Sequence, residues 1–208
     1  MDFENSEGKI KIIKEILERE WQFFQSAQNT GGRAECQDNK EEFLIMRKSQ
    51  WKTFPLNVLK SYLEDLKEAE KNKSNLVVEK YARMMKYSAP EEYEKIKGFF
   101  PEILPEKRET VNQIVKIYLN WEKELMEKYP KLTSKGRVLN SKDDTPEHTS
   151  IETYLKGELF SYSFETVTMY LMYIKECIQK NINLAELNIE NIIKEKGYTS
   201  LEEAESKI

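Results

Sequence analysis

The sequence predicts an all-α protein, a single-domain irregular helical bundle of about seven to nine helices. Three observations carry this expectation. Apolar residues recur at offsets of three and four along nearly the whole chain. Glycine (7) and proline (6) are scarce in 208 residues, so few points break a helix. Glu, Lys, Leu and Ile dominate, which favours helix by propensity, and no convincing strand or internal repeat appears.

The first helix is expected from about Gly8 to Ala27, with Ile13, Ile16, Leu17, Trp21 and Phe24 on one stripe and Gly31-Gly32 as its stop. Asp38 is in place to cap a second helix, with Glu41 as its capping-box partner; this helix carries Phe43, Met46, Trp51 and Phe54 and ends before Pro55. Leu59, Leu63 and Leu66 form the stripe of a third, Leu56 to Lys71. Ser74 caps a fourth, Asn75 to Tyr87. The run Ser88-Ala89-Pro90-Glu91 then reads as a fresh start, opening a short helix to Phe99. After a linker marked by Pro101 and Pro105, a long helix from about Glu106 to Lys128 carries Val111, Ile114, Val115, Tyr118 and Trp121. Lys131 to Glu147 is the longest irregular stretch, of a length that usually has a function. Thr149 or Ser150 caps the most apolar helix, Ile151 to Asn181, with Gly157 as its expected bend. Leu184 to Lys196 and Leu201 to Lys207 are short and polar. The expected organisation is a flexible N-terminus (1–8), a bundle (9–181) and small C-terminal helices packed on it (182–208).

Charged residues make up 34% and hydrophobic residues 39%, a balance that long solvated helices explain; 11% aromatic residues argue against a disordered chain. A net charge of −4 and a pI near 5.4 give no general attraction to nucleic acid or to an anionic membrane. Cys36 and Cys177 are far apart in sequence and no Cys-x-x-Cys pair occurs, so neither a zinc site nor a redox motif is signalled. No run approaches the roughly 20 apolar residues of a membrane span, and Met1 to Gly8 is acidic and polar. The expectation is a cytoplasmic, reduced setting without membrane contact.

Ionisable residues on apolar stripes point to a site. Glu20 lies among Ile16, Leu17 and Phe24; Arg47 and Gln50 share the stripe of Phe43, Met46 and Phe54. Lys80 aligns with Leu76, Val77 and Met84, and Glu158 aligns with Tyr154, Leu155 and Tyr162. An unpaired buried charge costs several kcal/mol, so two acids and two bases on four helices should meet each other or a ligand. One reading is a set of structural ion pairs or half-buried rims. The other is a polar cleft inside the bundle, a common place for helical proteins to build sites.

Other candidates are weaker. Gly31-Gly32-Arg33 would let backbone N–H groups approach an anion, with Arg33 gripping it; a plain helix C-cap followed by a surface arginine fits the same spacing better. His148 stands four residues before Glu152, a one-face spacing if both are helical, and is a candidate for acid–base chemistry beside Glu20 and Glu158. One histidine cannot supply the two Glu-x-x-His pairs of a diiron bundle, so no metal is expected. Cys36 lacks a neighbouring base and reads as an inert thiol.

Four runs together resemble a known family. They are Asn29-x-Gly31-Gly32-Arg33-Ala34-x-Cys36-Gln37, Phe43-x-Ile45-Met46-Arg47-x-Ser49-Gln50, Glu79-Lys80-Tyr81-Ala82-Arg83-Met84-Met85, and Thr149-Ser150-x-Glu152-Thr153-Tyr154-Leu155-x-Gly157-Glu158-Leu159-x-x-Tyr162-Ser163. They resemble a bacterial family of uncharacterised proteins, the domain of unknown function numbered four-one-two-five, over roughly residues 10 to 175. The resemblance implies no activity. It implies that Arg33, Gln37, Arg47, Gln50, Lys80, Arg83, Glu152 and Glu158 belong to the family's motifs. The resulting expectation is a polar, cationic interhelical pocket that binds an anionic small molecule, with Asn29 and Tyr154 added to these eight as its lining. The alternative is a helical interaction module without catalytic activity, docking a protein through Phe99-Phe100 or Met84-Met85. Nucleic acid is not an expected partner.

Overall fold

The computed structural model describes residues 3–28, 32–145 and 148–208, with side chains from residue 7 onward. Among the described residues the chain forms eleven helices and no strand. They are α1 (Phe3–Ser26), α2 (Lys40–Lys52), α3 (Leu56–Lys71), α4 (Leu76–Ser88), α5 (Pro90–Ile96), α6 (Pro105–Lys128), α7 (Pro130–Thr133), α8 (Ile151–Ser161), α9 (Phe164–Gln179), α10 (Leu184–Glu195) and α11 (Leu201–Lys207). The all-α expectation holds, and the expected count of seven to nine is low. One reason is that Ile151 to Asn181 is two helices; another is that Pro130 opens a further single turn, α7.

The break falls at Tyr162-Ser163, both extended, and not at Gly157. Three side chains satisfy the backbone groups that the break frees. Ser163 Oγ accepts from the Thr166 N–H at 3.1 Å, and Asp65 of α3 accepts from the Ser163 N–H at 2.9 Å. On the other side Lys107 of α6 donates to the carbonyls of Phe160, at 2.8 Å, and Tyr162. Gly157 serves a different purpose. A Cβ there would lie 2.6 Å from Met84 Cγ and 2.8 Å from the Lys80 carbonyl oxygen. Only a residue without a side chain lets α8 approach α4 this closely.

Two expected caps shift by one residue. Asn39, not Asp38, accepts from the Glu42 N–H at 3.0 Å, because Asp38 closes a short 3₁₀ turn and is held by Arg33. Asn75, not Ser74, accepts from the Val77 and Val78 N–H groups. Ala89 stands before Pro90 with no side-chain cap, so Ser88 is the last residue of α4.

The core lies between α1, α2, α3, α6, α8 and α9, with α10 packed across α2 and α6. Ile16, Leu59, Leu66, Val111 and Ile114 are wholly out of water, each burial worth about 1.5–3 kcal/mol. An aromatic seam runs through the middle. Trp51 stacks on Tyr62 at 4.6 Å, Phe54 stacks on Tyr170 at 4.2 Å, and Tyr62 meets Tyr162 at 4.5 Å. The 131–145 segment is tied down at its start and in its middle. Glu205 of α11 accepts from the Lys131 and Leu132 N–H groups, and Val138 and Leu139 accept from the first N–H groups of α8.

Candidate functional site

The four off-pattern charges meet. Arg47 donates from Nε and Nη2 to the two Glu20 oxygens, at 3.0 and 2.5 Å. Its Nη1 reaches both Glu158 oxygens, at 3.0 and 3.1 Å, and Gln50 Oε1 at 2.6 Å. Lys80 Nζ closes the group on Glu158 Oε2 at 2.6 Å. Helix periodicity places each residue on the inner face of its own element, and the α4–α8 crossing at Gly157 brings Lys80 down onto Glu158. Two carboxylates and two cations leave the quartet with no net charge.

Neutral donors complete it. Tyr62 OH and Trp51 Nε1 donate to Glu20 at 2.9 and 3.0 Å; Tyr162 OH and Gln50 Nε2 donate to Glu158 at 2.6 and 2.8 Å. Burial alone would raise the Glu158 carboxyl, but Arg47, Lys80 and the Tyr162 hydroxyl hold it far below the ordinary carboxylate range. Burial opposes the charge on Arg47 and Lys80 too, and their carboxylate partners overcome it, raising both. Tyr62 and Tyr162, desolvated beside these carboxylates, are pushed well above the usual phenol value.

The quartet forms part of the wall of a cavity of about 750 Å³ between α1, α2, α4, α6, α8, α10 and the 131–145 segment. Most of the lining is apolar or aromatic, including Phe24, Phe43, Tyr81, Leu125, Leu155 and Ile189. Tyr154 stands in the wall with two cations near its ring. Lys80 Nζ is 3.6 Å and the Arg137 guanidinium 4.7 Å from the ring centroid. A shallower depression of about 560 Å³, along the start of α6, is lined by residues 102–116 and contains none of these groups.

The sequence pattern of a family described as "Protein of unknown function (DUF4125)" matches residues 10–206. The chain belongs to that family. The match runs past residue 175, through α10 and α11, so the C-terminal helices are part of the DUF4125 unit, and α10 also helps to line the cavity. Comparisons with curated proteins and with solved structures gave no match.

Within this DUF4125 chain the cavity takes in Glu20, Arg47, Gln50, Lys80, Tyr154 and Glu158 of the sequence-predicted residues. Asn29 lies outside the described residues. Arg33 is on the surface, bonded to Asp38 at 2.7 Å and Gln25 at 2.5 Å. Gln37 is buried and stitches the loop to the end of α1, donating to the carbonyls of Phe24 and Ala27. Gly32 adopts φ +89 but lies six residues beyond the end of α1, so it turns the loop before the 3₁₀ turn and does not cap the helix. Arg83 pairs with Glu79 one turn away and donates to the Pro101 carbonyl at 2.9 Å, fastening the segment before α6. Glu152 accepts from the Ser141 N–H at 2.8 Å and from Lys156 at 2.5 Å. His148 is exposed and precedes α8, so its four-residue spacing to Glu152 does not put both on one helix face. None of these five lines the cavity.

Sequence reasoning missed Arg137, Glu122 and Asn188. Arg137 sits in an irregular segment where no periodicity applies. Glu122 follows Tyr118 by four residues and precedes Leu125 by three, so its place on the inner stripe of α6 was visible. Among the described residues no group of three His, Cys, Asp or Glu is placed to hold a metal, and no helix is long and apolar enough to cross a membrane.

Proposed function

We propose that this cavity binds a small molecule with an apolar or aromatic body and an anionic group, which Lys80 and Arg137 receive beside Tyr154. The observation that carries the reading is the approach of two cations to one ring in the wall of a largely apolar cavity. Lys80 spends one N–H on Glu158, and Arg137 spends Nη1 on Thr149, leaving other N–H groups for a ligand. Arg47 is not among the ligand-binding cations in this reading. Its guanidinium is committed to two carboxylates and Gln50, so the pocket is not cationic as a whole.

The same geometry favours binding over acid–base chemistry at Glu20 and Glu158. Glu158, held ionised by two cations and two neutral donors, is a poor proton donor and a weak base, and both Glu20 oxygens are occupied by Arg47, Trp51 and Tyr62. The quartet instead fixes α1, α2, α4 and α8 around the cavity, as preorganisation requires.

A thermal-shift screen with inorganic phosphate, nucleotides and aryl carboxylates tests the proposal. An anion is expected to raise the melting temperature, and Arg137→Ala to weaken its binding about tenfold. No stabilisation by any anion, or unchanged affinity in Arg137→Ala, overturns it. A second reading, docking of a protein partner, draws on Phe99, which is 83% exposed. Met84 does not support that reading, since it is buried against Gly157.

A further inference from the structure

We infer that the wall of the cavity built by α6 and α10 receives a cationic hydrogen-bond donor, an ammonium group carried on an apolar body. This deepens the ligand-site reading above and rests on it.

The wall consists of Tyr118, Glu122, Leu125 and Met126 from α6 with Asn188 and Ile189 from α10. Glu122 is its one charged residue. The other acids drawn into the interior are answered: Glu20 and Glu158 by the quartet, Glu79 by Arg83, and Asp65 by Ser163 and Thr166. No hydrogen bond or ion pair engages the Glu122 carboxylate among the described residues.

Asn188 is the independent observation. Its Oδ1 is wholly buried and has no hydrogen-bond partner among the described residues. Leaving a buried acceptor unmade costs roughly 1–3 kcal/mol, so such atoms are uncommon and call for an explanation. Here two residues that each carry an acceptor without a partner, one of them anionic, stand on two helices packed on each other and line one cavity. The three lining cations, Arg47, Lys80 and Arg137, come from α2, α4 and the 131–145 segment, and none from α6 or α10. A ligand group that answers Glu122 must donate hydrogen bonds and gain from a negative partner, and further donors on it would serve Asn188 where the wall adjusts to the ligand. An ammonium, with its N–H donors and its charge, has that chemistry. Leu125, Met126 and Ile189 beside it suit an apolar stem. Burial also pushes the Glu122 carboxyl up to about 7, and an ammonium beside it would draw it back to the ionised form.

The experiment is calorimetric titration of the full chain with three probes of similar shape: phenethylammonium, phenethyl alcohol and hydrocinnamate. Phenethylammonium is expected to bind about tenfold tighter than phenethyl alcohol, and Glu122→Gln, which keeps the side-chain shape, to remove that preference. Asn188→Ala is expected to weaken the ammonium probe by a smaller factor, with circular dichroism confirming the fold of both variants. Equal binding of alcohol and ammonium, or a preference that survives in Glu122→Gln, overturns the inference. Binding of hydrocinnamate alone, lost in Arg137→Ala, overturns it while the cavity reading stands. Absence of binding by all three overturns both.

Discussion

Arg47 of α2 and Glu158 of α8 are 111 residues apart in sequence, yet one guanidinium nitrogen lies 3.0 and 3.1 Å from the two carboxylate oxygens, with both residues buried. The pair is half of a balanced quartet, so its removal should be felt through the remaining charges rather than through the lost bonds alone. Arg47→Ala would leave Glu20 without a charge partner and Glu158 with Lys80 only. The expected loss is about 3–5 kcal/mol in urea unfolding. A change under about 1 kcal/mol would mean that water or relaxation replaces the guanidinium at little cost.

The acid limb of stability should trace to Glu158. Its folded-state value is depressed, because Arg47 and Lys80 outweigh the burial that opposes the charge. The unfolded chain therefore takes up the proton first as pH falls below the ordinary value of 4.5, and the folded state loses its advantage from there downward. Unfolding free energy measured against pH should drop below that point, with a shallower slope in Glu158→Gln. Parallel slopes in the two proteins would refute the assignment.

Glu122 should act in the opposite sense. Burial raises it from 4.5 to about 7, so between these values the unfolded chain releases a proton that the folded chain keeps. The contribution of this residue to stability thus declines as pH rises through that window. Glu122→Gln is expected to be more stable than the parent above neutral pH and to lose that margin in acid. A stability difference that does not change with pH would show that the carboxyl is not desolvated.

Gly157→Ala tests the contact that sets the cavity's geometry. In an open helix the change would add up to about 1 kcal/mol of stability. Here the new methyl would meet the Met84 side chain and, less avoidably, the Lys80 carbonyl. A net loss of about 1–3 kcal/mol is expected, with α4 forced away from α8. The calorimetric melting temperature reports the change. An increase in melting temperature would show that the two helices separate freely.

Much of the fold was legible in the residues. Stripes such as Ile13, Ile16 and Leu17 or Val111, Ile114 and Val115 carry their own period, and burial follows it. Glu20, Arg47, Lys80 and Glu158 stood out because each interrupts such a stripe, and burial then forces compensation. The Tyr162-Ser163 break was harder to see. It depends on Asp65 and Lys107, which come from other helices, whereas Gly157 offered a nearer but misleading signal. Arg33, Gln37, Arg83 and Glu152 were prominent in the sequence motifs, yet each serves a local tether; helical spacing names Glu79 and Lys156 as partners, but not Gln25 or the backbone groups of Phe24, Pro101 and Ser141.

By itself the sequence determined that this is a helical protein and that Glu20, Arg47, Lys80 and Glu158 face inward, since both properties follow from short-range spacing. Only the tertiary structure decided that Arg47 is consumed by its carboxylates while Lys80 and Arg137 share a ring. It alone left Glu122 and Asn188 without partners on the facing wall. Those outcomes depend on which helices cross and how closely, and that is set by contacts between residues distant in the chain.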